Sequence, residues 1–107
     1  NEQKTIIDVD EDMEDIIPKY LESIEKQIDV LQKELSSNEF EKIQATGHKL
    51  KGSGGGYGFD YISECGFEIE QMAKERKGDA VQDWIEKLDY YLKNIEVRFV
   101  EMDDEDD

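Results

Sequence analysis

The chain has 107 residues, of which 29 are Asp or Glu and 13 are Lys or Arg, giving a formal net charge of −16. So acidic a surface repels nucleic acid and anionic membranes, which excludes both as partners. The length allows one domain with one core. Only 36% of residues are hydrophobic and 39% are charged, close to a disordered composition, yet the apolar residues are regularly spaced and indicate helices with narrow buried stripes. No apolar run approaches membrane-spanning length, so neither a span nor a secretory signal is expected. The single cysteine, Cys65, rules out an internal disulfide and fits a reducing cytoplasm. The start at Asn1 leads us to expect neighbouring domains.

In chain order, residues 1–9 are expected to form a flexible arm, 10–102 a four-helix domain, and 103–107 a disordered acidic tail. A short acidic helix begins at "DEDMEDII", with Asp10 as its cap. The only proline, Pro18, suits a first helical turn. Ile17, Leu21, Ile24, Ile28, Leu31 and Leu35 then recur at alternating steps of four and three, the seam spacing of a bundled helix. Asn38 is expected to cap the next helix, with Glu41 reaching back. That helix places Phe40, Ile43, Gly47, Leu50, Gly54 and Tyr57 on one face and breaks at Gly58. A third carries Phe59, Ile62, Cys65 or Gly66, Ile69 and Met72 inward, with Gly78 as terminator. Asp79, partnered by Gln82, opens a last helix whose stripe is Val81, Trp84, Leu88, Tyr91 or Leu92, Ile95, Phe99 and Met102. No strand alternation or hairpin signal competes with this reading. The expected fold class is all-α: an antiparallel up-down four-helix bundle with a short extra N-terminal helix.

One window stands apart. "QATGHKLKGSGGGYGF", residues 44 to 59, holds the only histidine and most of the glycines, and no acid occurs between Glu41 and Asp60. A nucleotide-binding P-loop would need a lysine where Ser53 stands, and no strand precedes the window. A plain flexible linker has no reason to keep the apolar register through Leu50, Gly54 and Tyr57. If the segment is helical, Gly52, Gly54, Gly55 and Gly56 together cost about 3–4 kcal/mol relative to alanine, so the glycines need a purpose. At 100° per residue His48 lies ~130° from the centre of the apolar face and points outward. Its neighbours there are Gln44, Ala45, Gly52 and Gly55, which lets another protein approach almost to the backbone. Gly54, on the inner face, serves close helix packing. Lys51 is one turn from His48, and Lys49 and Lys42 add positive charge more loosely. Positive charge disfavours protonation of an imidazole, and a nucleophile near pH 7 must be neutral. The same lysines favour an attached phosphoryl group. Neutral nucleophile, cationic surroundings and flat approach suit phosphoryl transfer between proteins. A solvated histidine without a role is the bland alternative.

"HKLKG", residues 48–52, followed by Ser53, Gly58 and Phe59, resembles the His-x-Leu-Lys-Gly signature of histidine-containing phosphotransfer (HPt) domains, the four-helix-bundle intermediates of two-component phosphorelays. The opening segment "DEDMEDIIPKYL", the motif helix and two further helices follow in the family's order. By that resemblance His48 is the phosphorylated residue, Lys51 assists with charge, and Gly52 gives clearance for a docking receiver domain. The dimerisation helix of a histidine kinase ranks below it, because Lys49 replaces the acid of its box and no proline follows.

Cys65 reads as a core residue, and Trp84, Tyr90, Tyr91 and Phe99 as packing. One histidine and one cysteine give no transition-metal cluster, and neither acidic run has the glycine turn of a calcium loop. The expectation is a cytoplasmic, monomeric phosphocarrier that is not a kinase and has no cofactor of its own, magnesium residing on the receiver partner. Its partners would be receiver domains of response regulators or a hybrid sensor kinase. The opposing class is an adaptor bundle that docks a regulator without carrying phosphate.

Overall fold

The computed structural model describes residues 4–102. Four helices dominate it: α1 (Ile17–Ser36), α2 (Phe40–Gly54), α3 (Asp60–Lys74) and α4 (Gly78–Lys93). Helix α1 packs against α2 and α4, and α3 against the same two, so the four enclose one core. Ile24, Ile28, Leu31, Ile43, Leu50, Ile62, Ile69, Val81, Ile85 and Leu88 fill it, together with Phe59 from the α2–α3 connection. Short connections join the helices.

Two strands, β1 (Thr5–Asp10) and β2 (Ile95–Val100), correct the all-α expectation. They pair in parallel, Thr5 opposite Ile95 through Asp10 opposite Val100, so the N- and C-terminal segments meet after the chain has traversed all four helices. The arm expected over residues 1–9 is therefore strand from Thr5 onward, and the last helix stops at Lys93 instead of running to Met102. The reason is visible in "IEVRFV": Ile95, Val97 and Phe99 alternate with exposed Glu96 and Arg98, and β-branched and aromatic residues favour the pleated form. Ile95, Phe99 and Met102, at steps of four and three, fit a helical stripe equally well. Arg98 pairs with Asp8 across the strands (3.0 Å). The tail 103–107 lies outside the described residues.

Asp10 caps a single 3-10 turn, Glu11–Met13, by accepting from the Asp12 amide (2.9 Å). Pro18 sits in the first turn of α1. The other expected caps are displaced. Asn38 takes a left-handed backbone (φ 55°) and ends α1, with the Glu39 amide bonded back to the Glu34 carbonyl (2.9 Å); α2 has no side-chain cap. Arg76 does the same for α3 at φ 55°, so Gly78 opens α4 instead of terminating α3, and Asp79 lies in the first turn of α4 without capping it.

Candidate functional site

The glycine-rich window is helical through Gly54, continues as a 3-10 turn over Gly55–Tyr57, and breaks at Gly58, whose φ of 94° only glycine adopts readily. Side chains outside the window hold it. Ser63 on α3 donates to the Lys51 carbonyl (2.8 Å) and accepts from the Gly55 amide (2.8 Å), stitching the end of α2. Tyr20 on α1 shares a hydrogen bond with Ser53 (2.8 Å) and stacks on Tyr57 with ring centroids 4.1 Å apart.

The glycines divide into two classes. A Cβ on Gly52 or Gly56 would meet nothing within 4 Å, so these form the open face. A Cβ on Gly54 would lie 2.6 Å from the Ser63 amide nitrogen, and one on Gly47 would lie 2.8 Å from that of Glu70. Gly66 of α3 faces Gly47 in turn, its notional Cβ 2.7 Å from the Gly47 carbonyl. Helices α2 and α3 thus touch backbone to backbone beneath His48.

That contact delivers a group the sequence reading missed. One turn beyond Gly66, Glu70 is almost fully buried, yet it reaches the surface residue above it: His48 Nδ1 lies 3.2 Å from Glu70 Oε2. An ionised carboxylate can only accept, so this contact places the ring proton on Nδ1 and the lone pair on Nε2. The His48 side chain is 66% exposed, as its helical angle predicted. Lys51 Nζ lies 3.5 Å from Glu70 Oε1, which has no hydrogen-bond partner among the described residues. The purely cationic surroundings expected for the ring are therefore corrected: a carboxylate from the neighbouring helix lies within hydrogen-bonding distance of it. Chain order concealed Glu70; the signal available was the spacing of Gly66, where α3 must approach α2, and the acid one turn later.

Gln44 is half-buried, while Ala45, Lys49 and Gly52 on α2 and Gly55 in the turn after it are exposed. Phe67, also unanticipated, stands 43% exposed on α3 with Lys51 Nζ 5.7 Å from its ring centre. Among the described residues no group of three His, Cys, Asp or Glu is placed to hold a metal ion. Nor is any helix there long and apolar enough to cross a membrane.

Fold and site together define a helical-bundle protein that presents one exposed histidine, oriented by a buried carboxylate. The sequence model of the Hpt domain matches residues 15–98, and the chain belongs to that family. Members are phosphocarriers and not kinases, performing histidine phosphotransfer in two-component systems and typically interacting with receiver domains. Comparison with curated proteins and with solved structures finds no match.

Proposed function

We propose that this chain relays phosphoryl groups between receiver domains through His48. The Nε2 lone pair attacks the phosphorus of a receiver's aspartyl phosphate; the N–P bond forms as the P–O bond to the aspartate breaks, and the carboxylate leaves. The ring then carries a positive charge, which the Glu70 carboxylate at Nδ1 balances. Transfer to a second receiver reverses the step. Lys51, already facing Glu70, turns towards the new phosphoryl oxygens, and Lys49 adds charge more loosely. Gln44, Ala45, Gly52 and Gly55 form the surface on which the receiver seats.

The observation that carries this reading is the pairing of an exposed imidazole with a buried carboxylate on one of its two nitrogens. Magnesium belongs to the receiver, and the chain itself needs no cofactor. We take the bundle as antiparallel and up-down on the strength of its short connections, and as acting as a cytoplasmic monomer, since its four-helix core needs no second copy. Incubation with a phosphorylated receiver tests the proposal: label moves to the chain, is lost in acid, and is absent from His48→Gln. Binding of the receiver by wild type without uptake of label would establish the adaptor alternative instead.

A further inference from the structure

Away from His48, a groove of about 910 Å³ runs along α4. Asp83, Glu86, Tyr90 and Tyr91 of α4 form one wall, extended by Asn94 just past its end, and Tyr61 of α3 and the strand β1 close it. From Asp83 to the C-cap Asn94 this wall is ~16 Å long, about three helical turns. Tyr61 and Glu70 are nine residues apart on α3, hence ~180° around the helix, so groove and histidine face opposite ways.

Its chemistry is two-fold. The floor is aromatic: Tyr61 and Tyr91 pack at 4.9 Å between ring centres, and Tyr90 is 60% exposed, more than any other large hydrophobic residue in the described chain. The rim is acidic. Asp60, Asp83 and Glu86 form no ion pair among the described residues; Glu86 only accepts from the Gln82 amide (2.9 Å). The one ammonium of the lining, Lys87 Nζ, rests over the Trp84 ring at 4.1 Å and leaves those carboxylates uncompensated.

We propose that this groove docks an amphipathic helical segment of another protein that carries lysine or arginine beside its apolar face. The apolar side chains and the alkyl stems of the basic ones lie on the tyrosines, and the cationic heads reach Asp60, Asp83 and Glu86. Charge complementarity selects this occupant: a segment rich in acids would be repelled both by the rim and by the net charge of −16. Docking here is independent of phosphoryl chemistry at His48 and leaves that face free.

The test uses a fluorescent amphipathic lysine–leucine peptide of about three helical turns, its glutamate–leucine counterpart, and the intact chain at physiological salt, where exposed charges beyond ~8 Å are screened. Anisotropy should show binding of the lysine peptide alone. The triple variant Tyr90→Ala, Asp83→Asn, Glu86→Gln should weaken it at least tenfold. Glu22→Gln with Glu25→Gln, which removes the same charge from exposed α1 positions, should change it less than twofold, and His48→Gln not at all. Amide shifts should centre on α4 and Tyr61. Equal weakening by the two acid-removing variants would reduce the effect to general electrostatics and overturn the proposal, as would binding of the glutamate peptide, shifts centred on His48, or no binding of the lysine peptide.

Discussion

Replacing Gly52 by glutamine should make the protein more stable and a poorer relay at once. A Cβ there meets nothing within 4 Å, and the residue lies inside α2, so the substitution exchanges glycine's helix penalty for a good helix former. The gain is about 0.5–1 kcal/mol, and each kcal/mol raises the melting temperature of a domain this size by roughly 4–8 °C. The added side chain stands one turn from His48 on the same open face, where the proposed relay requires a receiver to approach. Single-turnover transfer from a phosphorylated receiver should therefore fall by about tenfold or more, the order expected when a reacting geometry is slightly misplaced. Gly47→Ala supplies the mirror image. Its Cβ would lie 2.8 Å from the Glu70 nitrogen, a backbone atom that cannot swing aside, so α3 must shift at a cost of about 1–3 kcal/mol. Thermal melts by circular dichroism and quenched-flow transfer measure both. Unchanged transfer in Gly52→Gln would refute the clearance argument, and an undiminished melting temperature in Gly47→Ala would refute the backbone contact.

Glu70→Gln keeps an acceptor for Nδ1 but loses the charge, whereas Glu70→Ala loses both; phosphoryl uptake should fall in the order wild type, glutamine, alanine, and equal rates in all three would remove Glu70 from the mechanism. The Cys65 thiol, fully buried and pushed up to about 12 mainly by desolvation, should resist alkylation at neutral pH and react only as fast as the domain unfolds, read by mass spectrometry with and without denaturant. Burial likewise pushes the Tyr91 hydroxyl up to about 12. Both groups prefer their neutral forms in the folded state, so their contribution is complete below about pH 9, the ordinary thiol range, and is lost as pH rises towards 12. Urea midpoints should fall across that window, and less steeply in Tyr91→Phe.

The apolar spacing made the four helices legible because a stripe at three and four residues has one way to be buried. Ile24, Ile28, Leu31, Ile43, Leu50, Ile69 and Leu88 are all buried as their spacing required. The outward direction of His48 followed from the same geometry. What escaped was set by partners distant in sequence. Ile95 and Phe99 fit either periodicity, and only pairing with Thr5–Asp10 decides for strand. Asn38 is expected to cap α2, yet it takes the left-handed turn that ends α1, as Arg76 does for α3. Glu70 is one acid among 29; the contact of Gly47 with Gly66, which no local pattern reports, singles it out.

The parallel strand pair has a kinetic consequence. Its partners are separated by 90 residues, as Thr5 is from Ile95, so it closes a very long loop, and its entropic penalty is repaid only after the helices have shortened the gap. The clasp should zip last in folding, and its amides should exchange with deuterium well before those of α2 and α3. The histidine platform, assembled from neighbouring helices, would then outlast a loosening of both chain ends.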